Sequence, residues 1–284
     1  MAKKKPRNFL ARADQALRKK QTVAAVYIFL RFAVILVMVA QFFNGNFENV
    51  FLCLLTLVLL LLPTIVERSL QIDLPNTLEI IIMLFIFAAE ILGEIRAFYT
   101  TYPGWDTMLH TLNGFLCAAI GFSLVDLFNR NERFSLSLSP VFMAIVAFCF
   151  SMTIGVLWEF FECIMDSFFL LDMQKDTIVH DISTVMLDPT GGNKITAIRG
   201  ITDVIVVAGG KEIPLGLGGY LDIGLLDTMK DLFVNFIGAF VFSIIGYFYV
   251  KNRGRGRFAR RFIPKVLPEE PVQADEEDSG PDHT

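Results

Sequence analysis

Two hydrophobic segments of this chain begin with the same three residues, an aspartate followed by threonine and methionine. The first copy starts at Asp106 and the second at Asp227. Each copy has a second ionisable residue four positions later, His110 in the first and Asp231 in the second. Ionisable side chains within a membrane segment are costly to desolvate and usually mark a functional site. The repeated pattern therefore predicts that both segments contribute to one site.

An asparagine extends the polar face of each copy. Asp106, His110 and Asn113 are spaced four and three positions apart, which places them on one side of an α-helix. In the second copy the polar face ends at Asn235, eight positions after its first aspartate. We expect the two asparagines to orient the ionisable ligand residues, or a bound cofactor, through hydrogen bonds.

Closely spaced glutamates end the apolar segment that precedes each copy. Glu90 and Glu94 precede the first copy, and Glu159 and Glu162 precede the second. Successive membrane segments run in opposite directions, so these glutamates and the two aspartate starts come to the same membrane depth. The sequence therefore predicts one polar pocket, open to the outside and closed from below by apolar packing.

Carboxylates gathered in one pocket need neutralisation. A divalent cation could provide it, since carboxylates and imidazole are common ligands of such ions. The candidate metal ligands are His110, Glu159, Glu162, Asp231 and Glu90. Alternatively, several carboxyls carry or share protons, as a proton or cation pathway requires.

The same groups also suit acid–base catalysis. The candidate catalytic residues are Asp106, His110, Glu159, Glu162, Asp227 and Asp231. A structural role is the alternative, because aspartate is a favoured N-cap and Asp106 and Asp227 stand where helices begin. His110 and Asp231 lie a full turn further in, where capping does not explain them.

Composition indicates an all-α integral membrane protein. The 284 residues are 54% hydrophobic, above the ~45–50% apolar content of typical soluble domains. No charged residue lies between Arg133 and Glu159, and a helix of that length, ~37 Å, crosses a hydrocarbon core of ~30 Å. We predict a six-helix transmembrane bundle with a parallel two-helix repeat. Its spans are 23–43, 47–66, 77–96, 105–127, 138–169 and 226–250.

Basic residues predict the orientation of this bundle. The first 22 residues contain eight Lys or Arg, and residues 251–265 contain seven and no acid. The positive-inside rule places both segments in the cytoplasm of a bacterial cell whose plasma membrane the chain spans, N-in and C-in. Beside membrane spans, such basic segments indicate contact with an anionic lipid leaflet rather than with nucleic acid.

The chain divides into a basic N-terminus (1–22), a transmembrane domain (23–250) and a tail (251–284). The end of the tail is acidic and is predicted to be disordered. Within the transmembrane domain, residues 171–225 form a long loop, predicted to be a lid on the outer face. Ile201 to Val207 and Lys211 to Leu215, joined by two glycines, predict a β-hairpin in this loop.

An ordered set of motifs in spans three to six resembles a known family. The motifs are Asp106-x-x-x-His110 with Gly114, Trp158-Glu159 with Glu162, and Asp227-Thr228-x-x-Asp231 with Asn235 and Gly238. They resemble the YjdF-like family of multi-pass bacterial membrane proteins and cover about half of the chain. The last motif is also similar, more weakly, to the VanZ-like proteins linked to glycopeptide resistance. Neither resemblance implies a reaction, because the biochemistry of the YjdF-like family is itself unassigned.

Three functions remain open from the sequence. The first is an outward-facing site that binds a divalent cation and acts on, or binds, a lipid-linked or cell-envelope substrate. The second is a transporter or channel for cations or protons. The third is a non-catalytic assembly protein. The sequence contains no Gly-x-Ser-x-Gly, His-Glu-x-x-His or Walker motif, so it favours none of those enzyme classes. The oligomeric state is left open.

Overall fold

The computed structural model describes residues 7–70, 72–130, 138–252 and 256–266. The predicted disordered acidic tail lies outside these ranges. Within them the chain is mostly helical. The α-helices are α1 (Arg7–Phe43), α2 (Phe47–Leu59), α3 (Leu62–Leu70), α4 (Asn76–Phe87), α5 (Phe98–Thr101), α6 (Trp105–Arg130), α7 (Pro140–Phe169) and α8 (Leu225–Lys251).

Five of the described stretches are long and apolar enough to cross a membrane. These stretches are Gln21–Phe43, Phe47–Ser69, Trp105–Asp126, Pro140–Phe169 and Leu225–Lys251. The expected third span corresponds to α4 and a π-helical segment (Ala88–Ile95). That stretch carries three glutamates and is not among the five, so a sixth crossing stays a prediction. The helical, multi-pass class is confirmed.

The boundaries of the long helices follow local chemistry. At the start of α7 the Ser139 hydroxyl accepts a hydrogen bond from the Phe142 N–H at 3.2 Å, and Pro140 occupies the first helical position. Gly224, with a φ of 86°, precedes α8 and supplies the left-handed turn that connects it to the loop. These signals set where the membrane segments begin.

Helices α6 and α8 pack side by side in the same direction, with α7 antiparallel to both. A Cβ on Gly114 would collide with the backbone of Asn235, and one on Gly238 would collide with the backbone of Thr111. The Ser151 hydroxyl of α7 donates to the Gly114 carbonyl at 2.7 Å. Small residues thus let three backbones approach closely, as is usual between membrane helices. This arrangement agrees with the predicted repeat, which itself stays a prediction.

Aromatic rings fill the bundle below the first turns of α6 and α8. Phe115 packs edge to face on Phe242 with 5.0 Å between ring centroids, and Phe122 packs on Phe242 at 6.2 Å. Phe122 and Phe242 are fully buried. This aromatic layer separates the two ends of the bundle.

The N-terminal helices form a second packed group. Leu30 and Val34 of α1 are buried with Cys53 of α2 and Met83 of α4 in one apolar cluster. Large side chains on the other faces of α1 and α2, such as Phe32, remain exposed in the isolated chain. A hydrocarbon environment would cover them, in agreement with membrane insertion.

The loop between α7 and α8 contains three two-stranded antiparallel sheets. They pair β2 (Ile178–Val179) with β7 (Tyr220–Leu221), β3 (Ile182–Thr184) with β4 (Thr196–Ile198), and β5 (Ile205–Ala208) with β6 (Lys211–Pro214). The last pair confirms the predicted hairpin, although its first strand starts four residues later than expected. Gly209 and Gly210 both have positive φ, as a tight hairpin turn requires.

Candidate functional site

The first turns of α6 and α8 meet the last turns of α7 at one end of the bundle, here called the site end. This meeting follows from the parallel packing of α6 and α8 and the antiparallel packing of α7. It brings together side chains from three helices: Asp106 and His110 from α6, Glu159 from α7 and Asp231 from α8. The described structure therefore places these predicted residues around a common centre.

His110 is the centre of this cluster. Its Nε2 lies 3.3 Å from Asp106 Oδ1 and 3.9 Å from Asp231 Oδ2, and its Nδ1 lies 3.8 Å from Glu159 Oε1. Both ring nitrogens thus face carboxylates. Such an imidazole can exchange protons with its neighbours or coordinate a metal ion through one nitrogen.

Lys230 supplies a positive charge that the sequence interpretation missed. Its Nζ lies 2.7 Å from Asp227 Oδ1, 3.3 Å from Asp106 Oδ2 and 3.6 Å from Asp231 Oδ1. The expectation of only a metal ion or shared protons as neutralising agents is therefore corrected. The signal was the spacing of Asp227 and Lys230, three positions apart on a helix.

Two carboxylate oxygens in the cluster have no hydrogen-bond partner among the described residues. They are Asp231 Oδ1 and Glu159 Oε2, and the two side chains are only 1% and 4% exposed. The contact from Lys230 to Asp231 Oδ1 is longer than a hydrogen bond. A buried, unpaired polar atom is unfavourable and commonly indicates a ligand, ion or water at that place.

Asp106, His110 and Asp231 form a group whose geometry suits a metal ion; we call it the triad. One ligand atom from each lies within 4.8 Å of the other two. Ligands that bind one zinc-sized ion at ~2.0–2.2 Å lie roughly 3–3.5 Å apart. Small inward movements of the side chains would therefore bring the triad to coordination geometry.

The predicted metal ligands are only partly in this group. His110 and Asp231 belong to the triad, and Glu159 lies beside it. Glu162 accepts a hydrogen bond from the Trp158 indole N–H at 2.9 Å, and neither it nor Glu90 joins the triad.

Glu90 and Glu94 border the cluster from the π-helical segment. Tyr99 lies within electrostatic range of both, and also of Asp106 and Glu162. Gly93 lies against the Tyr99 ring, where a Cβ would collide with it. Glu90 is half-buried and Glu94 is exposed.

Asn113 and Asn235 interact with each other. Asn113 Nδ2 donates to Asn235 Oδ1 at 3.3 Å, and Asn235 Nδ2 lies 3.6 Å from Met152 Sδ. Gly155 makes room for the Asn235 amide, because a Cβ there would lie 2.7 Å from its Nδ2. In the described structure the asparagines therefore hydrogen-bond to each other and not to the triad.

Asp227 holds the loop, not the helix start. Its Oδ2 accepts the Lys175 N–H at 2.9 Å, whereas the Leu226 N–H in the first turn of α8 is bound by Asp222. Asp166 accepts the Met173 N–H at 2.7 Å, while the Gln174 side chain donates to Thr228. The start of the 171–225 loop is thus fastened over the site end, a role for Asp166 and Gln174 that the sequence did not reveal.

Comparison with known proteins identifies a family. Residues 25–252 match the family described as "Predicted membrane protein (DUF2238)". The chain belongs to this DUF2238 family. No curated protein and no solved structure matches the chain. The match confirms the expectation that the chain belongs to a family of membrane proteins. The YjdF-like name and the similarity to VanZ-like proteins stay expectations.

The DUF2238 match contains the whole candidate site. The triad, Lys230 and the fastening residues of the loop all lie between residues 25 and 252. The described segment 256–266 follows the matched range. The site thus belongs to the part of the chain that the family defines.

Proposed function

We propose that this protein binds a divalent cation at the triad of Asp106, His110 and Asp231. The observation that carries the proposal is the geometry of the triad, in which one ligand atom from each residue lies within 4.8 Å of the other two. Asp231 is only 1% exposed, and its Oδ1 has no hydrogen bond, although the Lys230 ammonium approaches it to 3.6 Å. A cation would satisfy this oxygen and offset the surplus of carboxylates that Lys230 leaves. Glu159, with its own unpartnered oxygen, is placed to be a fourth ligand.

The donor set favours a transition metal. One imidazole with two or three carboxylates suits zinc, manganese or iron, whereas calcium takes six to eight oxygen ligands. Such an ion would supply Lewis-acid chemistry to a phosphate or carbonyl group. The residues themselves would hold the ligand and, at His110, accept or donate a proton.

A lipid-linked or cell-envelope substrate suits the position of this site. The triad lies within the first two turns of α6 and α8, close to the membrane surface, and a fastened loop lies over it. Transport is less favoured, because the asparagine pair and the aromatic layer fill the bundle below the triad. A structural role alone leaves the unpartnered oxygens unexplained.

Metal analysis of the purified full-length protein tests the proposal. We expect about one equivalent of a transition metal after loading and desalting, retained by the wild type and lost in His110→Ala and Asp231→Asn. His180→Ala is the matched control, since His180 is an exposed loop residue whose ring nitrogen lies 3.1 Å from the Ile201 carbonyl, away from the triad. Retention of the metal by both site variants would overturn the proposal.

Liposome flux separates the remaining alternatives. Cation- or proton-dependent flux that requires His110 would identify a transporter. Loss of thermal stability in both site variants, without metal in the wild type, would identify an assembly protein with a structural cluster.

A further inference from the structure

The segment after α8 folds back against the end of the bundle opposite the site end. It contains a 3₁₀ turn (Ala259–Arg261) and a short strand, β8 (Lys265–Val266), that pairs with β1 (Ile72–Asp73) before α4. The Phe262 ring enters the core, with its centroid 5.1 Å from that of Phe115. This contact holds the segment in one position beside the last turns of α8.

An apolar cavity of about 260 Å³ lies between this segment and α8. Ile244, Phe248 and Tyr249 line it from the helix, and Phe258 and Ala259 line it from the returning segment. Ile244, Phe248 and Phe258 are 41–53% exposed, so the cavity is open at the outer surface of the helix. It lies along the last turns of α8, which is long and apolar enough to cross a membrane.

Two basic residues neighbour the lining residues in sequence, and the Lys251 ammonium lies 5.4 Å from the centroid of the Tyr247 ring. Lys251 follows the lining part of α8, and Arg257 lies between the lining residues Gly256 and Phe258; both are exposed. In the sequence the whole stretch 251–265 contains seven basic residues and no acid. Arg253 and Arg255 belong to it but lie outside the described residues.

We propose that this cavity binds an anionic phospholipid, with part of an acyl chain in the cavity and the headgroup phosphate on Lys251 and Arg257. Small-molecule pockets usually measure ~300–1,000 Å³, so the cavity suits one chain segment better than a whole soluble ligand. Basic side chains at a membrane surface attract anionic headgroups. The apolar wall and the basic opening thus match the two parts of one lipid.

The acidic tail of the same chain is a weaker candidate for the cavity. Residues 269–284 contain seven acids and, besides two prolines and one alanine, a single aliphatic residue, Val272. Such a segment suits the cations but offers little to fill an apolar cavity. The lipid proposal is independent of the proposed metal site, which lies at the other end of the bundle.

Native mass spectrometry of the full-length protein tests the inference. The protein is equilibrated in detergent with equal amounts of phosphatidylglycerol and phosphatidylcholine, and the retained lipid is counted. We expect preferential retention of phosphatidylglycerol. Each Lys or Arg near an anionic membrane surface strengthens binding to anionic lipid about fivefold. The double variant Lys251→Gln with Arg257→Gln should therefore lose most of the preference for phosphatidylglycerol.

Two further variants make the result specific. Lys194→Gln with Lys211→Gln removes two exposed cations from the α7–α8 loop and should leave retention unchanged. Ile244→Trp fills the cavity from its exposed side and should lower retention of both lipids. Monodisperse gel filtration of each variant shows that the fold is intact.

Three outcomes would overturn the inference. One is equal retention of the two lipids by the wild type. A second is unchanged retention after loss of Lys251 and Arg257. The third is lipid retention that appears only after residues 268–284 are deleted, which would assign the cavity to the tail.

Discussion

The positive charge of Lys230 already neutralises part of the negative charge of the triad. Its ammonium lies 3.3 Å from Asp106 and 3.6 Å from Asp231, and both are triad members. It also pairs with Asp227 at 2.7 Å, which anchors it outside the triad. A bound metal and Lys230 therefore compete for the same carboxylate charge.

Removal of this competing charge should strengthen metal binding. We expect Lys230→Met to raise divalent-cation affinity by roughly tenfold or more, since a charge within ~4–6 Å shifts carboxylate equilibria by one to three logarithmic units. Competition titration with a metal-sensitive dye measures the change. Lys230→Arg, which keeps the charge, is the control and should bind as the wild type does. Weaker metal binding in Lys230→Met would show that Lys230 supports the ligands instead of competing.

One carboxylate, that of Asp222, holds the two ends of the long loop together where the loop joins α8. Asp222 accepts hydrogen bonds from the backbone N–H groups of Thr177 at 2.7 Å, Leu226 at 2.8 Å and Gly224 at 3.3 Å. Burial alone would raise the pKa of Asp222, but these donors outweigh it and hold the pKa below its ordinary value. The charged form of Asp222 therefore fastens the loop to the start of α8.

A lowered pKa makes this fastening sensitive to acid. The stabilisation from Asp222 is complete above the ordinary aspartate pKa of ~3.9 and is lost as the pH falls through the lower folded pKa. We expect pepsin to cleave the 171–225 loop more rapidly below about pH 4. Asp222→Asn should expose the loop to trypsin at neutral pH, measured by the cleavage rate at Lys175.

A control separates this effect from general loop damage. Asp203 accepts the N–H groups of Gly216 and Val204, each at 2.8 Å, and both donors belong to the loop itself. Asp203→Asn should therefore leave cleavage at Lys175 unchanged. Equal acceleration in both variants would show that the loop lacks a dedicated fastening point.

Across the whole molecule, the two ends of the bundle differ in chemistry. Carboxylates, the triad and the long loop lie at the site end, whereas the basic returning segment and its apolar cavity lie at the other. The aromatic layer between them includes Phe122 and Phe242, both fully buried. The basic residues of the sequence predict that the basic end faces the cytoplasm and the site end faces outward, and this orientation stays a prediction.

Cysteine labelling in intact cells tests the predicted orientation. With the native cysteines replaced, a cysteine at Ser183 in the loop should react with a membrane-impermeant maleimide. A cysteine at Asn252, after α8, should react only once the cells are permeabilised. The reverse pattern would place the site end in the cytoplasm and exclude an envelope substrate.

The repeated aspartate starts, His110 and the glutamates of α7 were visible in the sequence because spacing along a helix depends only on local geometry. The hairpin turn at Gly209-Gly210 was visible for the same reason. The sequence alone thus determined the membrane class and the residues that share each helical face. It did not reveal that Lys230 pairs with Asp106, because that contact joins two helices 124 positions apart.

Contacts between helices were decided by packing. The close approach of α6 and α8 at Gly114 and Gly238 sets how far apart their side chains lie, and it brings Asn113 to Asn235 instead of to the triad. The Phe262 ring likewise packs between Phe115 of α6 and Phe242 of α8, so its position depends on how these two helices pack. Periodicity fixes the direction of a side chain around its own helix axis, whereas its partner depends on the separation and register of neighbouring helices.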